Sequence, residues 1–250
     1  MGIVDVHVHY MKSDGIEPGE FLLRKAGDIG IDIMFLLPYE AIYRRNVLED
    51  SLRVIKMFKS YPNRVVPFVS VDPWDERCRE QLELFIAMGA KGLKIHPLTQ
   101  GIPAHSELLY PLIELAERNR LLVLVHTGSP IYSQPLQVLE LALTFTHTFF
   151  ILAHMGLGIL WYDSIRAAKR ADNIYLDTAG QRFLPVIEYA VRELGSERIL
   201  FGSDMPFLSI EVELEKIRHL RVSEHDKENI LYRNAKYLLS KIRGDTYYEG

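Results

Sequence analysis

His7 and His9 stand two residues apart in the apolar run IVDVHVH at residues 3–9. Residues i and i+2 of an extended strand point to one side, so both imidazoles face a common space. Three later apolar runs also end in groups able to bind a cation or move a proton: LVLVHTG with His126, FFILAHMG with His154, and ILFGSDMP with Asp204. Imidazole and carboxylate suit a borderline divalent ion such as zinc, and one open coordination position makes such a site catalytic. The chemistry these residues offer is metal-assisted acid–base work on a small molecule.

Such groups need elements that bring them together. Apolar strand candidates begin near Ile3, Ile31, Val65, Gly92, Leu122, Phe149, Ile174 and Ile199, about 25 to 34 residues apart. Each interval has room for one strand, one helix and two loops. Several of the runs are almost continuously apolar, as strands covered on both faces are. Helical spacing fills the intervals. Val47, Leu48, Leu52, Ile55 and Phe58 form one stripe, and Leu108, Leu112, Leu115 and Ala116 another, with Ser106 placed as a cap. Ser223 with an acid three residues on has the capping-box pattern. The fold class expected is α/β, a single (β/α)8 TIM barrel occupying residues 1–250, because no linker or second domain interrupts the repeat. An open doubly wound sheet is the alternative, but no G-x-G-x-x-G or phosphate loop follows any strand. In a closed barrel the site is built at the C-terminal strand ends, where His7, His9, His126, His154 and Asp204 fall. Closure also sets the eighth strand beside the first, which brings Asp204 near His7 and His9. His147, His219 and His225 are read as ordinary structural histidines.

Bulk properties exclude other classes. A net charge of −4 and a pI near 6.1 argue against a surface built for nucleic acid. No apolar run is long enough to span a bilayer. No leader precedes the first strand, and Cys78 is the only cysteine, so a cytoplasmic protein without a disulfide framework is expected. The expected partner is a small-molecule substrate, with a homo-oligomer left open. The final GDTYYEG is read as a surface tail.

The motifs DVHVH (5–9), GLKIHP (92–97), LAERNRLLVLVHTG (115–128), FILAHMG (150–156), YLDTAG (175–180), ILFGSDMP (199–206) and DKENILYRNAKYLL (226–239) run in this order along nearly the whole chain. With them the sequence resembles the amidohydrolase superfamily, in the amidohydrolase-related branch that includes the aminocarboxymuconate-semialdehyde decarboxylase type. The resemblance implies one divalent metal held by His7, His9, His126 and Asp204, zinc first and manganese as the alternative. It implies His154 as general acid/base, with Asp204 also managing a proton. Lys94 and His96, alternating to one side at the end of the fourth strand, are read as substrate-binding groups. The alternative is a carboxylated Lys94 bridging two metals, with His126 and His154 serving the second.

Specificity is sought on the loops after the strands: Tyr39, Tyr43, Arg44 and Arg45; the 96–105 segment; Trp161 and Tyr162; and Arg182. Arginine matches a carboxylate through two parallel hydrogen bonds, so Arg182 is the expected anchor for an acidic substrate. The leading functional expectation is hydrolysis of a small, carboxylate-bearing amide or lactone by metal-activated water. The alternative is non-oxidative decarboxylation of an aromatic or unsaturated acid on the same residues. A metal-binding protein without catalysis would leave the acid–base set without a use.

Overall fold

The computed structural model describes residues 2–11 and 18–242, and the GDTYYEG segment lies outside them. Eight parallel strands follow one another in order: β1 (Val4–Tyr10), β2 (Ile33–Pro38), β3 (Val65–Val69), β4 (Gly92–Ile95), β5 (Leu122–His126), β6 (Phe150–Ala153), β7 (Ile174–Asp177) and β8 (Ile199–Leu200). They start within two residues of the positions expected from the apolar runs. β8 is short, and the chain beyond it closes the barrel. Val6 N–H donates to the Phe201 carbonyl at 2.9 Å, Asp204 N–H to the His7 carbonyl at 2.8 Å, and His9 N–H to the Met205 carbonyl at 2.8 Å.

Helices cover the outer face. In Val47–Ser60 the buried side is Ser51, Val54, Ile55, Met57 and Phe58, while Leu48 is exposed. Ser106 caps a short 3-10 turn, Glu107–Leu109, ahead of the helix Tyr110–Arg118, so Leu108 also faces water. Leu48 lies within its helix but on the side that faces water, and Leu108 belongs to the 3-10 turn ahead of its helix, so neither joins the buried stripe that apolar spacing suggests. Ser223 and Asp226 form the expected capping box. No described helix is long and apolar enough to cross a membrane.

Two packed layers position the site. Leu93 and Ile95 of β4 point outward to the helices, and Lys94 between them points into the barrel. Pairing carries that parity around the wall: Lys94 lies beside Leu124, Leu124 beside Ile151, and Ile151 beside Tyr175. Strand parity then sets His126 and Asp177 on the inner side.

β1 breaks its own alternation. Val4 pairs with Ile33 and Asp5 with Met34, but Val8 pairs with Leu36 and His9 with Leu37, so β1 uses one more residue than β2. This bulge reverses the parity of the strand. Val4 and Val6 belong to the inner cluster with Phe35 and Leu37, whereas Val8 joins the outer layer with Leu36. Without the bulge His7 and His9 would face the helices. With it they face the barrel axis.

Candidate metal centre

Three ligand atoms meet at the end of β1. His7 Nε2 lies 3.2 Å from His9 Nε2, Asp204 Oδ1 lies 3.1 Å from His9 Nε2, and it lies 3.5 Å from His7 Nε2. Two ligands about 2.1 Å from one tetrahedral ion stand about 3.4 Å apart, so this triangle has the size of one face of a single-ion site. The donor set, two imidazoles and a carboxylate, is also one that a divalent cation takes. His154 adds to the group: among the described residues, ligand atoms of His7, His154 and Asp204 come within 4.8 Å of one another.

Local backbone explains how His154 and Asp204 reach this point. Both have positive φ, 64° and 60°, which non-glycine residues rarely adopt and which recurs at functional sites. Hydrogen bonds hold them there: His154 N–H to Asp177 Oδ1 at 2.8 Å, and Asp204 N–H to the His7 carbonyl. Gly128, two residues past His126, has φ 103°, and a Cβ on it would lie 2.2 Å from the Leu157 Cβ. Glycine there lets the loops after β5 and β6 approach closely.

His126 stands one ring away. Its Nε2 is 2.9 Å from the Ser129 hydroxyl, its ring centroid is 4.9 Å from that of His154, and it stacks on His96 at 3.9 Å with planes 9° apart. Among the described residues the group within 4.8 Å thus contains His154, expected beside the metal as the acid/base, and not His126, expected as a ligand. Lys94 is buried, with Nζ 3.5 Å from His7 Nε2. Beside the centre opens a cavity of about 160 Å3, lined by His9, Lys94, His96, His126, His154 and Asp204 on one side and by Tyr39, Ile42, Tyr43 and Phe207 on the other. Tyr39 packs against both Tyr43 and Phe207, with ring centroids 5.1 and 5.2 Å apart.

Arg182 is exposed on the loop after β7 and does not line this cavity. Arg44 is paired with Asp72 at 2.8 Å and Trp161 packs against Tyr189, both away from the lining. The cation inside the cavity is Lys94. Sequence reasoning missed Asp5 and Asp177, two wholly buried carboxylates, as well as Ile42 and Phe207. A signal for Asp177 was available, since it ends an otherwise apolar strand as the recognised groups do.

Electrostatics match a cation site. Burial, aided by the Lys94 charge, holds His7 well below the ordinary imidazole value. Burial lowers His9 against the opposing effect of Asp204, and it pushes His96 down to about 3. Burial and then His96 hold His126 low. Burial, the largest single influence, would raise Asp204, but the hydrogen bond with His9 and the charges of His7, His154 and His9 together outweigh it and keep it below the usual carboxylate range. Neutral imidazoles around an ionised carboxylate are the states in which these groups bind metal. Lys94 is brought down by burial to about 8, against the raising effect of Asp204 and Asp177.

Known proteins place this geometry in context. A family model described as amidohydrolase matches residues 4–240. A gamma-resorcylate decarboxylase from Polaromonas sp. (strain JS666) is 32% identical over 112 residues, covering 37% of this chain and 34% of that protein. The matched stretch therefore spans about a third of the length of that curated relative. An uncharacterised TIM-barrel protein from Bordetella bronchiseptica superposes with a TM-score of 0.81 at 19% identity, over 96% of this chain and 99% of its own. A dihydroxybenzoic acid decarboxylase from Polaromonas sp. JS666, solved with manganese and the inhibitor 2-nitroresorcinol, superposes with a TM-score of 0.75 at 18% identity, over 95% and 96%. At these identities the two superpositions carry the barrel fold.

Proposed function

Because the chain belongs to the amidohydrolase family, we propose that it is a metal-dependent, non-oxidative decarboxylase of a single-ring aromatic acid. The observation that carries this reading is a buried lysine beside the His7–His9–Asp204 triangle in a small cavity walled by flat rings. A cavity of roughly 150 Å3 accommodates a benzene ring, so this one has room for a single ring. The partial match to a gamma-resorcylate decarboxylase supports decarboxylation over the hydrolysis that the residue types alone put first.

In this reading His7, His9 and Asp204 hold one divalent ion, His126 completes the shell, and His154 is the acid/base. Manganese in the related barrel supports a divalent metal without selecting zinc. When bound, the ion polarises substrate oxygens and neutralises charge that builds on them. Lys94 Nζ pairs with the substrate carboxylate and turns it toward the centre. The stacked His96 and His126 on one side, and Tyr39, Tyr43 and Phe207 on the other, hold the ring and exclude water. His154 uses Nε2, because its Nδ1 faces the Ala179 carbonyl at 3.1 Å and so carries the hydrogen. With Nδ1–H held by Ala179, Nε2 first takes up a proton from solvent, and the resulting imidazolium passes that proton to the ring carbon that bears the carboxylate. The bond to the carboxylate then breaks, its electron pair restores the aromatic ring, and CO2 leaves. One carboxylate and one proton give one arene and one CO2.

The test is a substrate panel on Mn2+-loaded protein. Hydroxybenzoic acids, including 2,6-dihydroxybenzoate, are followed by CO2 release, and lactones and amides by hydrolysis. CO2 from a one-ring acid, with lactones and amides left intact, is expected. Hydrolysis without CO2 from any acid would return the site to the hydrolase reading.

A further inference from the structure

Asp177 lies at the inner end of β7, wholly buried, and its two oxygens have different partners. Oδ2 accepts from His7 Nδ1 at 2.9 Å. Oδ1 accepts two backbone N–H groups, from His154 at 2.8 Å and from Ala179 at 3.0 Å. The Ala179 carbonyl in turn accepts from His154 Nδ1 at 3.1 Å. Lys216 donates to the Thr178 carbonyl at 3.1 Å and the Gln181 carbonyl at 3.0 Å, and Glu213 accepts Gly180 N–H at 3.0 Å, so the loop carrying Ala179 is clamped from behind.

We propose that Asp177 is the positioning residue that sets the tautomers of both His7 and His154. A carboxylate only accepts hydrogen bonds, so the ring nitrogen facing Oδ2 must carry the hydrogen and His7 Nε2 keeps its lone pair toward Asp204 and His9. Through Oδ1 the same carboxylate pins Ala179, whose carbonyl fixes the hydrogen on His154 Nδ1 and leaves Nε2 free for proton transfer. His9 has no such partner: its Nδ1 is buried without a hydrogen bond among the described residues. The site therefore depends on one carboxylate for the orientation of a ligand and of the acid/base together. This inference rests on the metal-site reading above, since the lone pair on His7 matters only if a cation uses it.

Asp177→Asn separates the two effects. The amide oxygen is retained by the two backbone N–H groups on the Oδ1 side, so the NH2 must face His7 Nδ1. Donation from that NH2 drives His7 to the Nε2–H form, in which it cannot bind a cation. His154 keeps its Nδ1–H form because Ala179 remains held. The readout is the histidine-ring 15N spectrum of the metal-free protein, together with the Mn2+ dissociation constant from calorimetry. Wild type should show His7 and His154 both as Nδ1–H. The variant should change His7 alone and bind Mn2+ about 10–100-fold more weakly, the range for losing an outer partner of a ligating histidine. Wild-type His7 in the Nε2–H form overturns the proposal with no variant needed. A change at both rings or at neither, or an unchanged Mn2+ affinity, overturns it as well. The tautomers are read without metal or substrate, so their outcome is independent of whether wild type decarboxylates any acid.

Discussion

His7 N–H donates to Asp5 Oδ1 at 3.1 Å, across the bulge that turns the imidazole into the barrel. The same oxygen accepts Ser203 N–H at 3.0 Å from the segment that closes the barrel. Asp5 thus satisfies the donor that the bulge takes out of the ladder and ties it to the closing segment that bears Asp204. Burial raises Asp5 to about 7 against these two hydrogen bonds, so holding it there is expensive.

Asp5→Ala should leave the His7 and Ser203 N–H groups buried and unpaired, at about 1–3 kcal/mol for each. Chemical unfolding should show the loss, and bound metal should fall with it. Asp5→Asn keeps an acceptor and should lie between. An Ala variant as stable as wild type, with full metal content, would show that the bulge holds without Asp5.

His7→Ala and His9→Ala should each lose metal and activity together. His154→Asn should keep metal and lose about 10²–10⁴-fold in turnover, as the loss of a positioned acid or base does. Elemental analysis of purified protein decides. Because the structure groups His154 with His7 and Asp204, the comparison with His126→Ala matters most. If the His154 variant loses metal and the His126 variant keeps it, their roles are exchanged.

Chelator should lower the melting temperature and Mn2+ should restore it, because a ligand that binds only the folded state stabilises by RT ln(1 + [L]/Kd). At a hundredfold excess over Kd the gain is about 2.7 kcal/mol. The His7→Ala protein should show no such shift. A melting temperature insensitive to both reagents in wild type would remove the metal site.

Lys94→Met should raise KM for an aromatic acid by about tenfold or more, through loss of a buried charge-assisted contact. Arg182→Lys should leave it unchanged, since Arg182 lies outside the cavity. Steady-state kinetics on both variants tests the pair. A large effect at Arg182 and none at Lys94 would restore the anchor first read from the sequence.

Asp50 offers a pH test away from the metal. It is buried, accepts Ala41 N–H at 3.1 Å, and so holds the turn Tyr39–Ile42 that lines the cavity. Burial raises it from 3.8 to about 6. A folded value above the unfolded one means that the native state binds the proton more tightly. Its contribution therefore favours folding at low pH and is lost as pH rises from about 4 through about 6. Asp50→Asn should gain relative to wild type over that window, by about 1–3 kcal/mol. A pH-independent difference between the two in urea titrations would contradict the shift.

Much of the barrel was legible in the sequence because buried parallel strands are apolar runs, and helices of steady length must separate them. The strand-end positions of His7, His9, His126, His154 and Asp204 followed from the same runs. Periodicity could show that His7 and His9 share a face, but in an unbroken strand Val4, Val6 and Val8 would share the opposite face and be equally suited to a core. Which set turns inward depends on one extra residue in β1, and that is decided by its pairing with β2 and the closing segment. Likewise, residue type does not show that Arg182 stays outside the cavity, since the exposure of a loop residue depends on the neighbours that the loop meets, whereas Lys94 is turned inward by its place on β4. Asp5 and Asp177 read as isolated acids in apolar strands. Beside a donor two residues on, only the tertiary structure brings Ser203 to Asp5 and His7 and His154 to Asp177, because segments far apart in sequence become adjacent when the barrel closes.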